Sequence, residues 1–354
     1  MNIPLLYLFI VLFRATGDAG VPATGVPATG VPGQEKTDAM AERMLVYQRE
    51  NGGWPQPGGD PIDYRKELTP EQKNKIQKDK RKTDTTIDDQ ATVREITYLA
   101  GAYTKTGKKR YLAAVESGVD YLLKAQYPSG GWGQFFPDTT GYRKHITFND
   151  NAMVSVLEVM RKVAGRQGGF AALRADRAQA AQHAIDRAVQ CILKCQYVQN
   201  GTLTVWCAQH DRDTFLPARA RAFELPSLSG SESVGIVRFL MHMENPAPEI
   251  RKAVNAAVAW FEKVKIQDMD TRLVRDENGK AIDRIVFPSP GKVIWARFYD
   301  LETNRPFFTG RDSQPKTDLK DIETERRVGY SFYGDYASKL LTKEYPEWKQ
   351  KWDI

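Results

Sequence analysis

The chain has 354 residues and a formal charge of +7, with 41% hydrophobic and 27% charged residues and an isoelectric point near 9.1. This is enough chain for one large domain with a sizeable core, and its composition is that of an ordinary soluble globular protein rather than a disordered or fibrous one. The positive balance favours an acidic partner through long-range steering, without choosing among nucleic acid, anionic lipid and acidic polysaccharide.

In chain order, the apolar run Ile3 to Phe13 comes first. It is too short to span a bilayer comfortably and reads as the core of a secretory signal, with Ala15, Gly17, Ala19 and Gly20 nearby for cleavage. No Lys or Arg precedes it, and Arg14 follows it. Residues 1–20 are thus expected to be a signal peptide, and the product secreted or periplasmic. Next comes VPATGVPATGVPG, Val21 to Gly33, a repeat of Pro and small residues that cannot bury enough apolar surface to fold. It predicts a semi-extended linker over 21–36, with one folded domain over 37–354.

Helical spacing of apolar residues marks Ala91 to Tyr103 and Tyr111 to Ala125, with a turn at Lys105 to Lys109 between them. The pattern recurs at Ala152 to Val163 and Ala171 to Lys194, broken by Gly168 and Gly169, and again at Glu232 to Met243 and Pro248 to Val264. A shorter repeat closes these hairpins. Gln48 leads to Gly52-Gly53-Trp54, Gln126 to Gly130-Gly131-Trp132, and Gln196 to Gly201 and Trp206. Each is a helix end, a turn that tolerates positive φ, and an aromatic to cover the end. Such repeats resemble those of α/α toroid enzymes, so the expected fold is mainly α, a partial α/α toroid of helical hairpins with a smaller loop- and strand-containing lobe. Arg284 to Phe308 predicts short strands and ordered loops, and Leu319 to Leu341 a return to helix. The basic run Lys73 to Lys82 has no interleaved aromatics and reads as a solvated face.

The cysteines, Cys191, Cys195 and Cys207, have neither disulfide-framework nor metal spacing. They read as buried free thiols, although an oxidising compartment would permit one disulfide to Cys207. No Gly-rich phosphate loop, nucleophile elbow, zinc-type cluster or nucleic-acid module is present. His183 and His242 fall on helices, and His210 lacks an obvious Ser or Cys partner. A histidine-based nucleophilic mechanism has little support.

Acids stand at two helix starts: Asp88 and Asp89 in TTIDDQAT, and Asp150 in HITFNDNAM. Asp is also a preferred N-cap, so each motif alone reads as a cap. Two helices of one toroid would, however, aim both clusters at the same end. With oxygens of Asn149 or Asn151, they make a plausible site for a hard cation, calcium first. Arg219, Arg221, Arg297 and Arg311 sit in aromatic-rich loops and suit bidentate recognition of carboxylates.

The segments TIDDQAT, HITFNDNAM, WCAQHD, RAFELPSLSGSESVGI, WARFYDLETNRPFFTGRD and RRVGYSFYG, in this order from about Glu42 onward, resemble the family 10 polysaccharide lyases, the pectate lyases with a partial α/α toroid. The resemblance implies calcium-dependent cleavage of polygalacturonate by anti β-elimination to 4,5-unsaturated products. Carried over by motif, it implies Asp88 and Asp150 as calcium ligands, Arg221 as Brønsted base, and Arg297 and Arg311 as substrate-binding residues. Where the family often has Asn and Gly after the first Asp, this chain has Asp89 and Gln90, which leaves Asp89 as an alternative ligand. Arg219 is likewise an alternative to Arg221. Arginine normally stays protonated; burial, calcium and neighbouring arginines are expected to disfavour its charged form. The alternatives are a toroid glycoside hydrolase using paired carboxylates and a non-catalytic pectin-binding protein. No nucleic acid or membrane partner is expected, and the chain is expected to be monomeric.

Overall fold

A computed structural model describes residues 37–353, so the signal segment and the repeat linker lie outside the described residues. The helices are α1 (Ala39–Tyr47), α2 (Pro70–Lys78), α3 (Val93–Thr106), α4 (Lys109–Ala125), α5 (Ala152–Ala164), α6 (Ala175–Cys195), α7 (Glu232–Met241), α8 (Pro248–Val264), α9 (Thr324–Gly329) and α10 (Tyr345–Trp352). Two layers emerge from their packing. Helices α3, α5 and α7 are successive neighbours in one layer, and α1, α4, α6 and α8 in the other, with each hairpin joining the layers. Their apolar stripes meet between the layers; α5, whose neighbours lie on both sides, buries Ala152, Met153, Val154, Val156, Leu157, Val159, Met160 and Val163.

The glutamine–tryptophan repeat is what locks one hairpin to the next. The side-chain amide of Gln48 donates to Gly52 O in its own turn and to Ala114 O in α4, both at 2.9 Å. Gln126 does the same with Gly130 O and Ala184 O in α6, and Gln196 with Thr204 O and Ala253 O in α8. The buried indoles of Trp54, Trp132 and Trp206 donate to Met44 O, Leu122 O and Ile192 O, carbonyls in the last turns of α1, α4 and α6. Gly130 is required in its turn: its φ is +95°, and a Cβ there would lie 2.3 Å from Arg187 O. Replacing Trp132 with alanine removes a fully buried ring and this hydrogen bond together, and is expected to destabilise the fold by about 3–5 kcal/mol. Chemical denaturation measures it; a loss within about 0.5 kcal/mol, as at a surface position, would contradict the role given to the repeat.

A fourth tryptophan belongs to the series. Trp295 donates to Phe261 O of α8 at 2.9 Å, but it lies far along the chain because a long antiparallel hairpin intervenes, Ile266–Arg275 paired with Ala281–Ala296. Over Arg284 to Phe308 the expected short strands are present at Phe298–Tyr299 and from Phe308, but the stretch begins inside the 16-residue strand, whose 10-residue partner Ile266–Arg275 was not foreseen. Pro288 and Pro290 hide the period in the second strand, although Asn278-Gly279 is a strong hairpin-turn signal. The expected helix over Leu319 to Leu341 is also corrected: it contains a 3₁₀ turn, the short α9, a two-residue strand and the start of a π-turn. Its aromatics Phe332 and Tyr333 pack against Phe298 and Phe308 in a second small core instead of along a helix stripe. Helix α2 exposes its charged residues as expected, but Lys80 just beyond it does not. Its ammonium donates to Leu45 O and Gln48 O, capping the C-terminal end of α1. Cys191, Cys195 and Cys207 are all free and buried.

Candidate active site

The starts of α3, α5 and α7 lie at one end of their layer, the first tied in by a bridge between Thr86 and Phe135 and the other two by two-residue strands. Ile146–Thr147 pairs with Gln209–His210, and Leu228–Ser229 pairs with Phe298–Tyr299. Here the two acidic motifs fold alike. Thr86 N–H donates to Trp54 O and Thr147 N–H to Trp132 O, after which each chain makes a 3₁₀ turn into its helix. Asp89 (φ +43°) matches Asp150 (φ +49°), and Gln90 (φ +64°) matches Asn151 (φ +59°). Positive φ is unfavourable for residues with a Cβ, though Asp and Asn tolerate it best, and such backbone concentrates at functional sites. In this superposition Asp150 corresponds to Asp89, and Asp88 to Asn149. These acids are not simple caps: neither α3 nor α5 has a side-chain N-cap hydrogen bond.

One carboxylate oxygen from each of Asp88, Asp89 and Asp150 lies within 4.8 Å of the others. The structure thus brings both alternatives, Asp88 and Asp89, to Asp150. Asn149 also lines the cleft, whereas Asn151 turns away, its Oδ1 where a Cβ on Gly235 of α7 would be. Gln56 Nε2 donates to Asp89 Oδ2 at 2.8 Å, and Asn149 Nδ2 donates to Asp150 Oδ2 at 2.6 Å. Burial, the charge of Asp89 and that of Asp150 push the Asp88 carboxyl up to about 6, against a hydrogen bond with Gln134. An all-oxygen trio in mutual repulsion fits a hard divalent cation.

The shifted Asp88 gives a prediction that needs no activity. Its carboxyl binds a proton more tightly folded than unfolded, so in chelator it penalises the folded state above pH 6, and the penalty fades as pH falls towards 4. Asp88→Asn should therefore be more stable than wild type at pH 7 by about 1–2 kcal/mol, allowing for screening of a group that keeps some contact with solvent. The difference should shrink at pH 5, read from denaturation midpoints in chelator. An equal difference at both pH values would sink this account.

Arg297 stands behind the acids. It is 7% exposed and its Nη2 donates to Asp150 Oδ1 at 2.8 Å, to Asn149 Oδ1 and to the buried Glu232 at the start of α7. The Tyr330 ring lies 4.5 Å from its guanidinium. Its Nη2 is therefore committed to protein carboxylates, while its Nε is buried without a partner. Glu232 was not foreseen; its place at the third equivalent helix start was the available signal.

Arg221 lines a cleft of about 750 Å³ together with Asp88, Asp89, Asn149 and Asp150. It forms a bidentate pair with Glu224, Nε to Oε2 at 2.9 Å and Nη2 to Oε1 at 2.5 Å. Contrary to the expected direction, its pKa is raised: hydrogen bonding to Glu224 and then that carboxylate's charge outweigh partial burial. Arg219 is exposed and does not line this cleft. Arg311 is half-exposed and pairs with Glu325; it lies 4.8 Å from the Phe223 ring, the ring that Arg221 covers at 5.1 Å. His210 is buried, hydrogen-bonded to Cys207 N and Phe215 O, and burial depresses its pKa to about 4. It is a neutral structural residue.

The family described as pectic acid lyase matches residues 48–341 of the chain. The chain belongs to this family. A family 10 polysaccharide lyase from Cellvibrio cellulosa is 35% identical, with a TM-score of 0.76 over 89% of this chain and 92% of that one. An aspartate-to-alanine mutant of a family 10 polysaccharide lyase from the same organism, in complex with trigalacturonic acid, has a TM-score of 0.77 at the same identity and coverage. No curated protein matches the chain. As a pectic acid lyase it is an enzyme, and its two-layered helical hairpins are the α/α-toroid-type fold of those lyases.

Proposed function

We propose that this lyase is a secreted or periplasmic, calcium-dependent pectate lyase that cleaves polygalacturonate by anti β-elimination, leaving a 4,5-unsaturated end. The observation that carries the reading is the carboxylate trio of Asp88, Asp89 and Asp150 sharing one cleft with Arg221. Asp88 and Asp150 are the assigned calcium ligands, and Asp89 stands close enough to join them. Bound there, calcium would neutralise a substrate carboxylate and so acidify the neighbouring C5 proton.

The chain's own residues supply the rest. Arg297 keeps Asp150 oriented through Nη2 and adds positive charge beside the substrate carboxylate. Arg311, exposed beside Arg221, takes a substrate carboxylate directly, exchanging it for Glu325. Released from Glu224 and with its own proton passed to solvent, Arg221 accepts the C5 proton as Brønsted base, and positive charge around the developing enolate stabilises that intermediate. The bond from C4 to the glycosidic oxygen then breaks, the departing oxygen takes a proton from water, and the double bond forms between C4 and C5.

Incubation with polygalacturonate, with calcium or with chelator, tests this by ultraviolet absorbance of the unsaturated ends. A calcium-dependent rise is expected. No rise in either condition would overturn the proposal, and chain shortening without absorbance would point to hydrolysis.

A further inference from the structure

Three arginines share the Phe223 ring: Arg326 at 4.2 Å, Arg311 at 4.8 Å and Arg221 at 5.1 Å. Arg311 and Arg221 each hold a glutamate. Arg326 holds none among the described residues, although it is 6% exposed and its Nε is buried without a partner. Its guanidinium rests on the Tyr330 ring at 4.9 Å and near Phe332 at 5.6 Å. Cation–π contact offsets only part of the cost of desolvating such a charge, so a carboxylate within reach is strongly favoured.

Such a carboxylate is at hand. Glu224 is 7% exposed, follows Phe223 in the chain, and lines one small pocket with Tyr330, so it adjoins both rings on which Arg326 rests. Yet it pairs with Arg221, the more exposed of the two cations, whose side chain is 49% exposed. Glu224 Oε2 also accepts the Arg221 backbone N–H at 2.9 Å, so the carboxylate is anchored to its loop whichever guanidinium it holds. A guanidinium gripped on two nitrogens by a carboxylate is kept charged and cannot accept a proton.

We propose that Glu224 is a positioning residue with two alternative partners, docking Arg221 at the cleft wall at rest and turning to Arg326 to free Arg221 when substrate enters. The inference rests on the reading of Arg221 as the base. The charged and titratable groups around Arg221 are Glu224 on its own loop, Tyr142, Arg311, and Arg326 and Tyr330.

The test is the pH profile of kcat/KM on polygalacturonate with calcium. Glu224→Gln should move the rising alkaline limb about one pH unit lower, roughly tenfold more of the maximal rate at a pH below the limb. Glu224→Asp, which keeps the charge and is the least disruptive change, should keep the limb near its wild-type position. Arg326→Met should move the limb higher, because Glu224 then stays with Arg221, and this effect should vanish in the Glu224→Gln background. A uniform fall in kcat with an unchanged profile in Glu224→Gln would overturn the proposal, as would an Arg326→Met shift that persists in the double variant. Near-normal turnover in Arg221→Ala would instead remove the base reading itself, a result separate from those outcomes.

Discussion

Arg221→Ala is expected to lower kcat by about 10²–10⁴-fold with a much smaller change in KM, the loss typical of removing a general base. The residue lies at the cleft, half-exposed and paired to Glu224 on the same loop, so its removal leaves Glu224 unpaired but breaks no contact between the two helical layers. Glu224 retains the backbone N–H of residue 221 and shares the Tyr330 ring with Arg326, which limits the structural cost. Steady-state kinetics on polygalacturonate separates the possibilities. Weakened substrate affinity with turnover near wild type would make Arg221 a binding residue and end its assignment as base.

Asp150→Ala should reduce cation affinity by at least about 10–100-fold, since even outer-shell changes at metal sites cost that much. Activity should fall with it and recover partly as the cation concentration is raised. The fold should survive: Asp150 is 42% exposed at its side chain, and Arg297 keeps the buried Glu232. In chelator the stability change is expected to stay within about 1 kcal/mol. Calorimetric titration with calcium measures the first effect and chemical denaturation the second. Undiminished calcium binding by a folded variant would remove Asp150 from the site.

Much of the helical architecture was legible in the sequence because an amphipathic period and a helix-end repeat are local signals. Six of the helices, α3 to α8, follow apolar spacing, and the Gln and Trp residues of three hairpin ends recur visibly in the chain. Trp295 escaped that pattern, since the long strand hairpin separates it from its helix end, Phe261. The 319–341 stretch was misread for a related reason. Its aromatics serve a small core made with Phe298 and Phe308, and nothing in the stretch itself names that partner.

The site divides in the same way. Asp88, Asp89, Asp150, Arg221, Arg297 and Arg311 were all singled out as residue types in motifs, because acids at helix starts and arginines among aromatics are visible along a chain. Their relations were not visible. The match of Asp89 to Asp150 follows from two turns with positive φ, and the burial of Arg297 behind Asp150 follows from Glu232 on a third helix. The charge state of Arg221 turned on Glu224, only three residues away, whose acceptance of the Arg221 guanidinium depends on side-chain direction that sequence spacing leaves open.

The sequence by itself determined the repeated helical hairpins, the acid-bearing helix starts and the supply of arginines, because each depends on residue type and short-range period. Only the tertiary structure decided which carboxylates converge, which arginine is held by which acid, and which one is buried with none. Those outcomes depend on distances between segments up to about 150 residues apart, such as Arg297 and Asn149, and electrostatic pairing is set by such distances and by burial.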